Sequence, residues 1–100
     1  MTTTDATHSG TVPIDNIDPP VGHIGNYDMV ITGSQFQAGI SVKLEKTGKT
    51  TITARDTNWI SNTSIRCYFT IPTMTMGTYD VVVTNPDRTF GRWTDGVSFT

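Results

Sequence analysis

The segment from Ser64 to Ile71 alternates apolar and polar side chains at every second position, the period of a strand with one buried face. The side chains that would share that face are Ile65, Cys67, Phe69 and Ile71. The same period recurs along the chain, and no stretch shows a helical period. Composition agrees, because 100 residues include 20 Thr, one Leu and three Ala, so β-branched residues outnumber strong helix formers. The chain is therefore predicted to be all-β.

The alternating segments are separated by turn residues at intervals of roughly 8–12 residues. The predicted strands are 12–18, 27–32, 40–46, 49–56, 64–71, 78–84 and 89–100, the last continuous or broken at Asp95-Gly96. Segments 21–26 and 57–63 are predicted loops. About seven antiparallel strands that each bury one face are typical of an immunoglobulin-like β-sandwich. A small barrel is the alternative.

The two ends and the single cysteine bear on domain organisation. Residues 1–11 are polar and have no apolar segment, so they are predicted to be a flexible leader or linker before a domain at 12–100. A chain that begins in a linker and ends in a strand is typical of a module from a longer protein. Cys67 is the only cysteine and lies in an alternating strand, so it is predicted to be a buried small side chain.

Charge and hydropathy exclude two classes of partner. Seven Lys and Arg against nine Asp and Glu give a net charge of −2, and a nucleic-acid-binding domain usually carries a basic surface. We therefore expect no nucleic-acid partner. The longest apolar runs have only a few residues, so we expect no direct membrane insertion. Lys43, Lys46 and Lys49 surround one predicted hairpin, where lysines commonly prevent edge-to-edge aggregation.

No arrangement of residues with catalytic or metal-binding spacing is found. His8 and His23 lie near no cysteine, and no phosphate-binding glycine motif is present. Seven of the eight Asp residues are scattered over turns and strands without a calcium-loop spacing. We predict no enzyme activity, no catalytic or metal-binding residue and no cofactor. Asn62-Thr63-Ser64 is an N-glycosylation sequon.

Three residues form the candidate interaction surface. Tyr68 and Arg66 point away from the buried face of their strand, and Trp93 lies in the final strand. Exposed aromatic side chains can bind a sugar face or a protein surface. The alternative is that these aromatic residues cover the core or its edge.

Four motifs in order resemble the IPT/TIG family, the immunoglobulin-like modules shared by plexins, some transcription factors and many microbial surface proteins. The motifs are Ile17-x-Pro19 with Gly22 and Gly25; Met29-x-Ile31-x-Gly33-x-x-Phe36; Trp59-x-Ser61-x-Thr63-x-Ile65-x-Cys67; and Gly77-x-Tyr79-x-Val81-x-Val83-x-Asn85-Pro86. The resemblance covers residues 12–100. One departure is Asp87-Arg88-Thr89, where the family often has Gly after Asn-Pro-Asp.

The resemblance implies structural roles for the motif residues. The hallmarks are Met29, Ile31, Gly33, Phe36, Gly77, Tyr79, Val81, Asn85 and Pro86. Gly33 is expected to adopt a backbone angle that other residues resist, so that the strand can turn. Trp59 is expected to cover an end of the sandwich. Tyr79 has the spacing of a tyrosine corner, whose hydroxyl bonds back to the backbone.

The functional expectation follows from the resemblance and from the lack of catalytic motifs. We expect a non-enzymatic structural or adhesion module of a larger cell-surface or secreted microbial protein, located outside the cell. It would act as a spacer or as a protein or glycan interaction domain, with neighbouring domains of the same chain as partners. The alternative is an accessory or dimerisation domain of a catalytic or DNA-binding intracellular protein.

Overall fold

A computed structural model describes residues 8–99, which form ten β-strands and no helix. The strands are β1 (His8–Gly10), β2 (Ile14–Asp18), β3 (Val21–Gly22), β4 (Gly25–Gly33), β5 (Ser41–Glu45), β6 (Ile52–Thr53), β7 (Asp56–Ser61), β8 (Ser64–Ile71), β9 (Gly77–Thr84) and β10 (Phe90–Phe99). Three of these have two or three residues, and the other seven have five or more. The prediction of an all-β sandwich is confirmed.

The strands form two sheets that face each other across one core. The six-stranded sheet has the order β1-β10-β9-β5-β6, with β3 also paired to β10. The four-stranded sheet has the order β2-β4-β8-β7. All pairs are antiparallel except β3 with β10, where Val21 lies opposite Ser98. Strand β2 ends at a cis peptide bond between Asp18 and Pro19, and it lies at a sheet edge, as its prolines predicted.

The core consists of inward-facing residues from both sheets. The largest fully buried side chains are Phe36, Phe69, Met29, Ile31, Leu44, Ile65, Val42, Val81, Val83, Val97 and Cys67. The predicted buried face of β8 is confirmed at all four positions. Apart from Phe36, which lies in the loop between β4 and β5, these side chains occupy every second position of their strands. The two-residue period in the sequence therefore creates most of the core.

Segment 57–63, predicted to be a loop, is mostly strand. Strand β7 covers Asp56–Ser61, and only Asn62 and Thr63 form the turn into β8. The prediction was wrong because β7 is an edge strand, and its apolar Trp59 and Ile60 are consecutive and largely exposed. An edge strand has little buried surface, so it lacks the alternation by which the other strands were found.

Three other boundaries differ from the predictions. The loop predicted at 21–26 contains β3 and the first residues of β4. The second arm of the predicted hairpin shrinks to Ile52–Thr53, which pair with Leu44 and Lys43. Strand β10 is continuous and does not break at Asp95-Gly96, because a bulge between Trp93 and Val97 absorbs the irregularity.

The predicted leader, residues 1–11, lies largely outside the described residues. Its last part is visible: β1 pairs antiparallel with β10, with Gly10 opposite Gly91. The backbone amides of Thr11 and Val12 both donate to the Phe90 carbonyl, at 2.9 and 3.0 Å. Residues 8–12 are therefore tied to the edge of the six-stranded sheet by backbone hydrogen bonds.

Gly33 is required for a different reason than predicted. Its φ lies outside the left-handed region, so no special backbone angle is involved. A Cβ atom at this position would instead lie 2.2 Å from the Pro13 carbonyl oxygen and 2.8 Å from Cζ of Phe36. Only glycine allows the chain entering β2 to approach the end of β4 so closely.

Candidate interaction surfaces

Tyr68 lies on the outer face of the four-stranded sheet, as predicted. It is half-buried and pairs in register with Asp28 on β4 and Asp56 on β7. The Arg55 guanidinium lies 5.9 Å from the centre of the Tyr68 ring, within range of a cation–π contact. The result is an aromatic ring with two carboxylates beside it and a cation over it.

Arg66 lies on the same face, two residues before Tyr68 on β8. It is exposed and stands between Val30 on β4 and Asn58 on β7. No ion pair joins its guanidinium to another residue of the described range 8–99. The Tyr68 face, which we define as Asp28, Arg55, Asp56, Arg66 and Tyr68, therefore offers a cation that is free to contact a ligand.

Trp93 does not belong to this face. It lies on β10 in the other sheet, directly opposite Val81, and antiparallel partners point to the same side of a sheet. Val81 is fully buried, so Trp93 points inward, where it is half-buried against the core. The structure thus brings together two of the three predicted surface residues, and Trp93 has the core-covering role weighed as the alternative.

The outer face of the six-stranded sheet carries a charged network that the sequence analysis missed. Arg92 donates to Asp80 at 2.7 Å and also to Glu45, which in turn pairs with Lys43 at 3.3 Å. The hydrogen bond from Arg92 lowers the pKa of the Glu45 carboxyl. These side chains cover Val82, which is buried although it points away from the core. The network consists of outward residues on three neighbouring strands, and it can be recognised only once the strand order is known.

A cleft of about 340 Å³ opens between β6 and the connector from β8 to β9. Its lining includes Lys49, Ile52, Pro72, Met74, Tyr79 and six threonines. The volume lies at the small end of the range for ligand pockets, roughly 300–1,000 Å³. The cleft contains no pair of carboxylates and no histidine or cysteine, so its chemistry is that of a binding surface with hydroxyl groups.

Tyr79 is structural, but it is not a tyrosine corner. Its ring is buried and packs edge-to-face on Phe99, with the centroids 5.6 Å apart. Within residues 8–99 its hydroxyl makes no hydrogen bond to the backbone. The hydroxyl of Tyr27 makes such a bond instead, to the Pro19 carbonyl, and burial raises its pKa. The spacing in β9 predicted a tyrosine whose hydroxyl bonds to the backbone. In the structure of residues 8–99, Tyr27 of β4 makes that bond and Tyr79 of β9 does not.

Asn85 fastens two loops together at one end of the sandwich. Its Oδ1 accepts from the Gln37 amide at 2.9 Å, and its Nδ2 donates to the Gln35 carbonyl at 2.8 Å and to Oγ1 of Thr89 at 3.0 Å. The side chain is buried, so these bonds are shielded from water. Pro86 lies beside Gly39 in the same contact region. Asn85 was predicted to be a structural hallmark, and the structure adds the bonds that explain why it is asparagine.

Most other sequence-predicted hallmarks serve the core. Met29, Ile31, Phe36 and Val81 are buried, and Gly77 begins β9 with a φ of 92°. The Trp59 indole donates to the Phe36 carbonyl at 3.0 Å, so this residue covers the sandwich end as expected while 40% of its surface stays exposed. These residues hold the fold and leave the Tyr68 face and the cleft for contacts.

Within residues 8–99, no group of three His, Cys, Asp or Glu side chains could hold a metal ion. These residues form no helix, so no helix among them could cross a membrane. Burial raises the pKa of the Cys67 thiol to about 12, which keeps it protonated. Cys67 is therefore an inert core side chain, as predicted.

Comparisons with known proteins agree with this architecture. No curated protein matches the sequence. The family described as the IPT/TIG domain matches residues 13–100, which span both sheets and all four motifs. IPT/TIG domains are generally non-catalytic immunoglobulin-like modules. This chain belongs to the IPT/TIG domain family.

Proposed function

We propose that this domain is a spacer or adhesion module of a larger cell-surface or secreted microbial protein. The observation that carries the proposal is the path of the chain. The Val12 carbonyl lies against Gly91 near the start of β10, whereas Phe99 is at the end of that strand. Ten residues of strand span about 30 Å, so the family-matched segment enters and leaves the sandwich at opposite ends. Such a path lets modules join in series.

The attachment of the N-terminal side supports a load-bearing role. Strand β1 and the amides of Thr11 and Val12 hold the incoming chain to β10, and β10 is itself paired to β9 along almost its whole length. Because β1 runs back along β10, with His8 opposite Trp93, the ladder between β1 and β10 is the first contact that tension between His8 and Phe99 would load.

Surface labelling tests the location. Antibodies raised against the purified domain would be applied to intact cells of the source organism, and the coding region on both sides would be sequenced. We expect labelling of intact cells, a secretion signal, and further sandwich modules or an anchor. Labelling only after permeabilisation, together with a neighbouring catalytic or DNA-binding domain, would overturn the proposal in favour of an intracellular accessory or dimerisation domain.

A ligand-binding role rests on the Tyr68 face. Its aromatic ring and the Arg66 guanidinium, which has no ion-pair partner within residues 8–99, suit a protein or glycan surface with hydroxyl or carboxylate groups. The test is binding to a panel of immobilised oligosaccharides, including acidic ones. Tyr68→Ala should abolish any binding seen, whereas Thr70→Ala, an exposed position on the same face of β8, should not. No binding by the unaltered domain would leave the spacer role alone.

A further inference from the structure

The sequon Asn62-Thr63-Ser64 lies where β7 turns into β8. Asn62 and Thr63 are the two turn residues, and both are exposed. Within residues 8–99 the side-chain amide of Asn62 makes no hydrogen bond, so no contact of the fold occupies it. An N-linked glycan is bulky and needs open space around the amide that carries it. The folded domain therefore has room for a glycan at Asn62.

The backbone of this turn is held by three hydrogen bonds. The Asn62 carbonyl accepts from the Phe36 amide at 3.0 Å. The Thr63 carbonyl accepts from the Gly33 amide at 3.0 Å, and the Thr63 amide donates to Oγ of Ser61 at 3.2 Å. A sugar attached to Asn62 would therefore start from a fixed point, and little backbone freedom would be lost when it packs against the protein.

The Trp59 side chain lies beside this fixed point. Its indole nitrogen donates to the Phe36 carbonyl, and the Phe36 amide donates to the Asn62 carbonyl, each at 3.0 Å. Because both bonds involve the backbone of one residue, the indole nitrogen is no more than about 10 Å from the Asn62 carbonyl oxygen. Strand β7 is bulged between Trp59 and Ser61, so the chain bends between the ring and the turn.

Trp59 has a free surface that suits a sugar. The residue is 40% exposed, although its indole is fixed by the bond to Phe36. The face of an aromatic ring can pack against the C–H groups of a sugar, and this indole donor needs no further partner. A ring that is fixed before the contact forms has little side-chain freedom left to lose. The turn thus combines an acceptor amide with an aromatic surface for the first sugar.

We propose that Asn62 is an N-glycosylation site and that the first sugar of its glycan packs on the exposed surface of Trp59. In the reaction, Nδ2 of Asn62 attacks C1 of the first N-acetylglucosamine of a lipid-diphosphate-linked oligosaccharide. The new N–C1 bond replaces the bond from C1 to the phosphate oxygen, the lipid diphosphate leaves, and the nitrogen gives one proton to a base of the transferase. No oxidant or reductant is needed. Modification in the source organism rests on the secreted location proposed above.

The test compares one polypeptide with and without a single sugar. The chain is secreted from yeast behind an added signal sequence, and mass spectrometry of its peptides measures occupancy at Asn62. An endoglycosidase then trims each glycan to one N-acetylglucosamine. The same polypeptide made in a bacterial cytoplasm carries no sugar, and circular dichroism gives the Tm of each form. Because the host imposes secretion, the result is independent of the native location, which the surface labelling tests separately.

Two variants separate the contact with Trp59 from a general effect of glycosylation. Lys49→Asn, made together with Asn62→Gln, creates a sequon with Thr50 and Thr51 in the exposed turn after β5, where no aromatic residue lies within three positions. Trp59→Ala keeps Asn62 and removes the ring. Each variant is compared with and without its own sugar, so the effect of the substitution itself cancels. If Trp59→Ala does not fold, an upfield ring-current shift of the sugar protons in the NMR spectrum of the unaltered domain reports the same contact.

We expect Asn62 to be glycosylated and the single sugar to raise the Tm by about 4 °C, the size of one aromatic contact in a domain of this length. The sugar should change the Tm by less than about 1 °C in Trp59→Ala and in the double variant with Lys49→Asn. An unmodified Asn62 would overturn the proposal. Equal gains in Tm at both sequons, a gain that persists in Trp59→Ala, or sugar protons without a ring-current shift would overturn the contact with Trp59.

Discussion

The two ends of the sandwich are built by different means. At the first end, which we call the pinned end (Gly33, Phe36, Asn85 and Gly91), backbone segments touch. A Cβ at Gly33 would lie 2.2 Å from one carbonyl oxygen, and a Cβ at Gly91 2.0 Å from another. The Asn85 side chain adds two hydrogen bonds to the loop after β4 and one within its own turn. Close backbone contacts at the two glycines and the hydrogen bonds of Asn85 therefore restrict which residues can occupy these positions.

The opposite end, which we call the open end (His23–Gly25 and Pro72–Gly77), is loosely filled. Nothing lies within 4 Å of a Cβ built on Gly25, and Met74 is 92% exposed. Glycine at this end is set by backbone angle, since φ is 88° at Gly25 and 92° at Gly77. The difference teaches that glycines of one domain can be required for opposite reasons, close backbone contact or backbone angle, which the sequence does not distinguish.

The largest predicted effect is the contrast between two glycine-to-alanine variants. Gly33→Ala forces a methyl group against backbone and should lower the free energy of unfolding by about 3 kcal/mol. Gly25→Ala has space and should cost only the left-handed backbone angle, about 1 kcal/mol. Urea unfolding curves measure both. Equal losses would mean that the pinned end can relax, and the contrast between the ends would fail.

Asn85→Ala should cost about 2–3 kcal/mol. The substitution removes three hydrogen bonds and leaves the Gln37 amide and the Gln35 carbonyl without their partner in a part-buried site. Asn26→Ala is the matched control, because Asn26 is exposed on β4 near the open end, and it should change stability by less than about 0.5 kcal/mol. Thermal unfolding of the unaltered domain and of the two variants measures these stabilities. A loss of stability below about 0.5 kcal/mol in Asn85→Ala would show that water replaces the hydrogen bonds of the side chain.

Strands that bury one face and expose the other could be predicted from the sequence. Strand β8 was predicted with its observed boundaries because Ile65, Cys67 and Phe69 alternate with polar residues. Strand β7 was missed because Trp59 and Ile60 are adjacent and largely exposed. The period of two reports a buried face, and an edge strand barely has one.

The candidate surface was predictable only in part, for a related reason. Counting positions in β8 gave the outward direction of Tyr68 and Arg66. The same counting was not decisive for Trp93, because the bulge in β10 shifts the alternation between Trp93 and Val97. The ion pairs of Arg92 depend on which strands are neighbours, and β5, β9 and β10 are brought together by topology that no local pattern encodes.

Each end of the sandwich also contains a non-glycine residue with a left-handed backbone angle, so the same substitution to glycine can be compared at both ends. Arg88 in the turn at the pinned end has a φ of 76°, and Met74 at the open end has a φ of 70°. Arg88 occupies the stretch where the family often has glycine. Arg88→Gly and Met74→Gly should each raise stability by up to about 1 kcal/mol, the relief of a left-handed angle less the added freedom of the unfolded chain. Denaturant midpoints would measure both changes. A gain at one end only would mean that the loop at the other end relieves its strain by changing its backbone angle.

The smallest predicted effect is the response of two carboxyls to acid. Hydrogen bonds from Arg92 lower the pKa of Glu45, and those from Thr89 and Gln37 lower the pKa of Asp87. A carboxyl whose pKa is lower in the folded state stabilises the fold above its unfolded pKa, about 4, and loses that contribution as pH falls. Stability should therefore be flat from neutral pH to about 5 and decline below it, less steeply in Glu45→Gln and Asp87→Asn. Asp87 is exposed and Glu45 is only half-buried, so water screens both interactions and the change in slope should be slight. A decline unchanged in both variants would assign the acid response to other carboxyls.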